Sequence, residues 1–420
     1  AMEKGYDVFI FVDNGVSLHE QLAYLKEHKK QVIILDHHTL ETEPVCDVLI
    51  HPDLLSDYYH QLCGAGLSYC LNQAFGFHDS ESLQLAMVAT IGDMVPLVNF
   101  NRDLVKKGLR SINEQPMLHL SNLIKKQSID EEDVAFNLVP KLNAIGRLSD
   151  IANVNTLVNF FLNDDVSAIL SYVTAIESVN QKRKALVRSM QKTAMTLVND
   201  DPFNFIVDAN FHQGVVGILA GHVMRLTNKP TLVATISDDI IKGSLRAENV
   251  DLFQVIHHAR DHVKQFGGHQ KAAGIQVHVD DFDEFKSVVL EHMEDFKLEA
   301  GVKSIPVVQP QLISLAAIKE FESFGPFGMG FERPVVALEN MDVVRTYHND
   351  RYQLSKWIIK VNDLEIEAVS FDALDPRLKT MSPLTFEGTI QYKPYNGYDK
   401  VVMRLEKVHA KNINKNEILI

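Results

Sequence analysis

Apolar positions along this chain switch repeatedly between continuous runs and a helical period. Residues 8–12 form an apolar run closed by Asp13-Asn14-Gly15, an amphipathic stretch covers residues 17–29, and a second run, Val32-Ile33-Ile34-Leu35, ends in Asp36-His37-His38. β-Branched runs flanking a helical period predict a β-turn-α-β unit with buried parallel strands. Parallel pairing brings Asp13 and Asp36 to the same sheet edge, where open α/β sheets carry their chemistry. Either acid alone reads as a turn former or a helix cap; an Asp-His-His triplet at a strand end is also well suited to bind a metal. A short run at residues 48–50, ending at His51-Pro52, extends the pattern by one strand.

Helical patterning follows at residues 64–74 and 82–91, the latter closing on Gly92-Asp93-Met94-Val95-Pro96-Leu97. Here an apolar helix delivers one carboxylate into a turn fixed by proline, and the apolar flank makes an unpaired charge costly. Asp93 is therefore the third candidate acid, with a helix-cap role as the competing explanation. Residues 140–148 read as a small-residue loop in which Arg147 carries the only guanidinium, able to fork onto a phosphate or simply to be solvated.

Residues 164–199 predict a helix of about 35 residues, long enough to include a connector between domains. Lys184, Arg188 and Lys192 recur on it at i, i+4 and i+8, which is a solvated face by default and a phosphate-backbone track in the sharper reading. A second α/β unit begins with the strand at 205–207. His212, Gly214 and Gly217 sit at its strand-to-helix turn, where free N–H groups can receive an anion. A helix at 218–226 and a strand at 231–236 follow, then a strand-like segment ending in Arg246. Gly267-Gly268-His269 predicts either a close backbone approach to a ligand or a tight turn with an incidental histidine.

Residues 302–310, with two prolines, read as a linker. A short helix at 315–321, a Gly-Pro-rich stretch from Phe324 to Gly330 and alternating segments as far as Leu405 predict a small β-barrel. The turn at residues 395–398 fits it, and the last ten residues read as frayed. The expected architecture is an α/β chain of a parallel-sheet domain (residues 1–163), a connecting helix (164–199), a second α/β domain (200–301) and a β-barrel domain (302–420).

Composition changes this picture in three ways. With 46% hydrophobic and 23% charged residues over 420 positions, the chain is globular and long enough for several cores. The net charge of −14 argues against coating nucleic acid by bulk electrostatics, although a local basic groove stays compatible with it. Three cysteines without Cys-x-x-Cys spacing predict neither a disulfide framework nor a structural zinc site, which fits a reducing cytoplasm. No apolar run approaches the roughly 20 residues that span a bilayer, and the N-terminus has no signal-peptide pattern.

Individually weak signals then fall in one order: Val12-Asp13-Asn14-Gly15, Asp36-His37-His38, Gly92-Asp93-Met94-Val95-Pro96-Leu97, Leu142-Asn143-Ala144-Ile145-Gly146-Arg147, His212-Gln213-Gly214-Val215-Val216-Gly217, Gly267-Gly268-His269 and Pro326-Phe327-Gly328-Met329-Gly330. The ordered set resembles the RecJ-type single-strand-specific exonucleases of the DHH phosphoesterase superfamily. The resemblance implies a DHH catalytic domain, a DHH-associated domain and a C-terminal OB-fold, acting on single-stranded DNA from the 5′ end with Mn²⁺ or Mg²⁺ in DNA repair and recombination. It implies that Asp13 is a bridging metal ligand, His37 a ligand and Asp93 a second-metal ligand. Asp36 and His38 fall behind these or at the scissile phosphate, and Arg147, Arg246 and His269 on DNA phosphates. By the same resemblance, single-strand-binding protein and a helicase are expected partners.

The superfamily's first motif, His-x-Asp-x-Asp on a preceding strand, has no counterpart before Val8. The expectation is an N-terminally truncated piece with weak or no catalysis and retained single-strand affinity. Two rivals remain: a DHH phosphodiesterase of short oligonucleotides or cyclic dinucleotides, and a non-catalytic single-strand-binding scaffold. The residue 143–147 segment and the extra β-domain speak against the first, and retention of Asp13, His37 and Asp93 against the second.

Overall fold

The two apolar runs and the short third one form a parallel sheet, β1 (Val8–Val12), β2 (Gln31–Leu35) and β3 (Val48–Ile50), with α1 (His19–Glu27) crossing between the first two. The structure is a computed structural model and describes residues 4–298, 304–349, 354–371, 378, 381–394 and 397–410. Val12 pairs with Leu35, so Asp13 and Asp36 leave the sheet at the same edge. β2 is central, with Val32 and Ile34 fully buried against Val16, Leu22 and Leu25. β1 departs from the expected burial because it lies at the sheet edge, where Val8, Ile10 and Val12 stay exposed.

Five helices follow: α2 (Gly64–Ala74), α3 (Ser80–Gly92), α4 (Asn99–Glu114), α5 (Leu118–Ile124) and the single turn α6 (Glu131–Asp133). The Asp79 carboxylate caps α3 through the Ser82 N–H at 2.6 Å. A π-helical turn, Val134–Leu138, runs straight into α7 (Val139–Arg147). Residues 140–147, expected to be a loop, are thus helical. The π turn absorbs the hydrogen bond that Pro140 cannot make, and Arg147 ends a helix instead of sitting in a loop. Then come α8 (Asn155–Phe161) and the long α9 (Val166–Thr196), as the uninterrupted helical period predicts.

The chain divides into two compact units. The first comprises Ala1–Asn143, Asn155–Glu177 and Glu320–Pro334; the second comprises Ala144–Val154, Ser178–Lys319 and Val335–Ile420. In the second unit, β4 (Asn204–Val207), α10 (Val216–Thr227), β5 (Thr231–Ser237), β6 (Ile240–Arg246), α11 (Leu252–His258), β7 (Gln265–His269), β8 (Ala272–His278) and α12 (Phe282–His292) form an α/β layer with sheet order β4-β5-β6-β8-β7. Only β4 and β5 are parallel. One face packs Ile206 and Val233 against α10 and the Val187, Met190 and Ala194 stripe of α9; the other packs Leu232, Ile241 and Ile275 against α11 and α12.

After α13 (Leu315–Glu322) come β9 (Val336–Met341), β10 (Val343–Asn349), β11 (Leu354–Val361), β12 (Leu364–Ser370), β13 (Leu384–Tyr392) and β14 (Val401–His409), in sheet order β10-β11-β12-β14-β13-β9. The sheet curls around a core centred on Trp357, whose Nε1 donates to the Leu378 carbonyl at 3.3 Å. Among the described residues β9 and β10 do not pair with each other. Only Asp342 separates them, too little chain for a hairpin. Of the turn at residues 395–398 only Gly397 and Tyr398 are described, and the C-terminal ten residues lie outside the described residues.

Candidate metal and phosphate sites

In the first unit three side chains from three separate loops meet. Asp13 follows β1 in a left-handed conformation (φ 61°), tolerable for a short polar side chain, while its N–H continues the ladder to the Leu35 carbonyl at 2.8 Å. His37 follows β2, and Asp93 caps the C-terminus of α3 just before Met94, itself left-handed at φ 58°. The His37 Nε2 lies 3.2 Å from Asp13 Oδ1 and 3.3 Å from Asp93 Oδ2. The Asp13 carboxylate raises the His37 imidazole above its ordinary value; burial opposes this and the Asp93 charge adds to it.

Asp36 does something different. It is buried and its Oδ1 accepts from His37 N–H (2.8 Å), His38 N–H (3.3 Å) and His38 Nδ1 (2.6 Å), while Oδ2 accepts from Val16 N–H (3.1 Å). Burial pushes the carboxyl up, but the His38 imidazole and the Val16, His38 and His37 amides together outweigh it and hold Asp36 below the usual carboxylate range. It therefore organises the loop that presents His37. His38 is exposed, and because Nδ1 is committed to Asp36, Nε2 is the ring atom left to meet a ligand.

Two residues of this site carried no signal that sequence reasoning used. His51 is buried; its Nε2 donates to the His38 carbonyl at 2.9 Å and its Nδ1 accepts from Asp53 N–H at 3.2 Å, which fixes the tautomer and braces the same loop. Gly64 opens α2 directly against Asp13. A Cβ there would stand 2.4 Å from Asp13 Oδ1 and 2.8 Å from Asp13 Cβ, so a rotamer change alone cannot relieve the clash. Gly64→Ala is expected to displace the Asp13 carboxylate and weaken Mn²⁺ binding, at a stability cost of about 1–3 kcal/mol. Calorimetric Mn²⁺ titration beside a thermal melt measures both.

Asp13 and Asp93 contribute hard oxygen donors and His37 a borderline nitrogen, a donor set that fits Mn²⁺ or Mg²⁺, with the imidazole favouring manganese. Among the described residues no three His, Cys, Asp or Glu side chains form a preformed metal cage. The two carboxylates instead close on the one imidazole nitrogen. The cysteines take no part: Cys46, Cys63 and Cys70 are free thiols, and burial pushes Cys70 up to about 11.

The second unit holds a separate cavity of about 450 Å³ lined by Arg147, Arg246, Lys242, Ser244, Gly217 and Gly267, among others. The Arg246 Nη1 donates to Ser244 Oγ and to the Leu245 carbonyl, both at 2.7 Å, and the Arg147 Nη1 reaches the Gly214 carbonyl at 3.5 Å. Burial lowers both guanidinium pKa values, and the Arg147 charge adds to the effect on Arg246. Among the described residues neither has a salt-bridging carboxylate, so the cavity, at the N-terminal end of α10, is a concentrated positive site suited to a phosphate.

Of the other residues expected here, Gly214, Gly217 and Gly267 line that cavity, whereas His212, Gly268 and His269 fall outside its lining. His212 caps the turn before α10, its Nδ1 accepting from Gly214 N–H at 3.0 Å and its Nε2 on Asp150 Oδ1 at 3.0 Å. Gly267 and Gly268 belong to the β7–β8 hairpin, where Gly268 has φ 145° and no room for a Cβ beside the Ala272 carbonyl; His269 is exposed at its end. Lys184, Arg188 and Lys192 occupy the exposed face of α9.

A parallel sheet with an acid-histidine edge, a mixed α/β layer and a curled β-sheet in this order define the chain as a DHH-type protein. Family comparison agrees: residues 2–92 match the DHH family, N-terminal domain, residues 196–295 the DHHA1 domain and residues 307–407 the RecJ OB domain. The chain belongs among the RecJ-like members of the DHH family. It is 30% identical over 394 residues to the single-stranded-DNA-specific exonuclease RecJ of Bacillus subtilis, covering 88% of this chain and 49% of that protein. It is similar in fold to RecJ of Thermus thermophilus, solved in complex with Mn²⁺, with a TM-score of 0.82 at 24% identity over 98% of this chain and 63% of that one. An exonuclease RecJ bound to manganese aligns at 28% identity and a TM-score of 0.59 over 70% of this chain and 77% of that one. The chain thus spans about half the length of the Bacillus relative. Among the described residues no helix is long and apolar enough to cross a membrane.

Proposed function

We propose that this protein is a metal-dependent exonuclease that hydrolyses single-stranded DNA from its 5′ end. The observation that carries this reading is the meeting of Asp13 and Asp93, from two different loops, on the His37 Nε2. Asp13, His37 and Asp93 hold the divalent ions, Mn²⁺ or Mg²⁺. When bound, such ions neutralise charge on the phosphoryl oxygens and supply hydroxide at neutral pH. Asp36 keeps the His37 loop in register. His38, anchored through Nδ1, offers Nε2 to the scissile phosphate or the leaving oxygen.

Arg147 and Arg246 take a backbone phosphate in the basic cavity, with Gly267 and Gly268 admitting the strand close to the backbone. His212 supports this site by holding the turn that precedes α10. His269 meets the strand at the end of the hairpin. The exposed Lys184, Arg188 and Lys192 face of α9 is the backbone track, which reconciles strand binding with a net charge of −14. The same reading places the protein in DNA repair and recombination in the cytoplasm, alongside single-strand-binding protein and a helicase, and is supported by the RecJ relatives and the RecJ OB domain.

Two measurements test it. Calorimetric titration is expected to show Mn²⁺ binding that Asp13→Asn weakens; absence of any Mn²⁺ binding would remove the catalytic reading in favour of a scaffold. Binding of single-stranded DNA is expected to weaken steeply with salt, and replacing Lys184, Arg188 and Lys192 together by Gln should flatten the log–log slope by about 2, at roughly 0.7 per phosphate contact. An unchanged slope would exclude α9 as the track.

A further inference from the structure

The Gly-Pro-rich stretch from Phe324 to Phe331 has no role in the chemistry above, yet within the first unit it lies directly on the turn that follows Asp93. The Leu97 N–H donates to the Met329 carbonyl at 2.7 Å. Leu97 is buried, and a Cβ on Gly328 would stand 2.7 Å from its Cδ1, so a larger residue there would have to push the Leu97 side chain aside. From α4, Arg102 reaches across 224 positions of sequence to the Pro326 carbonyl at 2.8 Å; it also donates to the Phe324 carbonyl, and its guanidinium lies 4.0 Å from the Phe331 ring centroid. Glu131 Oε1 accepts from the Phe327 N–H at 3.0 Å. The stretch is stiffened from within by the stacked Phe327 and Phe331 rings, and its two ends are tied together by Arg333, which pairs with Glu322 at 2.8 Å through both terminal guanidinium nitrogens.

On its other side the same turn is held by Asn101, whose Nδ2 donates to the Pro96 carbonyl at 3.0 Å and the Gln61 carbonyl at 2.7 Å. The turn is therefore clamped between α4 and residues 324–331. Asp93 sits between this clamp and the last turn of α3, and Met94 bears the left-handed kink that joins them. Releasing the clamp frees the segment that directly follows that kink and lets it relax.

We propose that Arg102, acting through residues 324–331, is a positioning residue that sets the Asp93 carboxylate for its divalent ion, making the segment between α13 and β9 a working part of the metal site. This rests on the assignment of Asp93 as a ligand. It gives the Pro326-Phe327-Gly328-Met329-Gly330 motif a physical role, which is to couple a segment beside the β-sheet domain in sequence to a loop more than two hundred residues earlier.

The test compares wild type with Arg102→Met, Arg102→Lys and Asp93→Asn, using Mn²⁺ alone as the probe. Mn²⁺ affinity is read by calorimetry, amide exchange by mass spectrometry, and fluorescence of the single Trp357 reports that the β-sheet domain stays folded. Arg102→Met is expected to weaken Mn²⁺ binding by about 10-fold, the scale of losing a group that orients a ligand. It should also speed exchange across residues 94–98 while leaving β1, β2 and Trp357 unchanged. Arg102→Lys, which keeps the charge and part of the carbonyl bonding, should recover part of the affinity. Unchanged Mn²⁺ affinity in Arg102→Met, with Asp93→Asn impaired, overturns the proposal and leaves the ligand assignment standing. Faster exchange throughout β1 and β2 also overturns it, since the role is then general stability. Unchanged affinity in Asp93→Asn overturns the ligand assignment itself.

Discussion

Asp93→Ala is expected to all but abolish Mn²⁺-dependent cleavage of single-stranded DNA, lowering the rate by about 10²–10³-fold, the scale seen when a group stabilising transition-state charge is removed. The fold should survive. Asp93 caps α3 with its backbone, not its side chain, and its side chain is 43% exposed, so truncation buries nothing unsatisfied and opens no cavity. The loss should therefore separate cleanly from stability, with cleavage all but gone and the thermal midpoint nearly unmoved. The measurement is a single-turnover assay on the protein as its gene encodes it, beside a thermal melt. Cleavage at the wild-type rate would remove Asp93 from the site.

Asp36→Ala should show the opposite balance. Its carboxylate satisfies the Val16, His37 and His38 amides and the His38 imidazole from a buried position, so truncation strands several donors at once. Leaving buried donors unmade costs about 1–3 kcal/mol each, so a destabilisation on the order of 3 kcal/mol is expected even after water reaches some of them. Because Asp36 fixes the loop carrying His37, Mn²⁺ affinity should fall with it. Asp36→Asn keeps the shape but turns an NH₂ group towards one set of donors, and is expected to lose about half as much. Denaturant unfolding of the three proteins measures the difference; equal stability of Asp36→Ala and wild type would mean that the loop holds itself without the carboxylate.

The two effects differ because the Asp-His-His triplet is split by strand geometry. Side chains alternate at the end of β2, so Asp36 turns inward to the core and His37 outward to the carboxylates. The triplet alone shows three adjacent metal-binding residue types; the structure assigns only His37 among them to the meeting point, with Asp13 and Asp93 from elsewhere.

What was legible in the sequence was local. Apolar runs closed by Asp13 and Asp36 fixed parallel strands ending at one edge, and the proline after Asp93 marked a turn. The uninterrupted period of α9 placed Lys184, Arg188 and Lys192 on one exposed face. What was not legible depends on contacts between distant positions. Gly64 matters because Asp13 leaves no room for a Cβ, and His51 because it reaches the His38 carbonyl. Arg102 matters because its acceptors lie 222 and 224 residues away. Residues 140–147 misled for a local reason. Proline and small side chains imitate a loop, and the π-helical turn that accommodates Pro140 leaves no periodic signature of its own. Residues 98–139 gave no expectation at all, although α4 is strongly amphipathic and supplies both Asn101 and Arg102.

The central claim is that this protein uses divalent ions held by Asp13, His37 and Asp93 to degrade long single strands, and one comparison tests it most directly. With Mn²⁺ present, the protein as its gene encodes it should be given a 5′-labelled long single strand, the same strand in duplex form, and a dinucleotide. The account predicts rapid release of labelled mononucleotide from the single strand, little from the duplex, and slow turnover of the dinucleotide, which cannot span the basic cavity and the track on α9. Turnover of the dinucleotide as fast as that of the long strand would contradict it and identify a phosphodiesterase of short substrates.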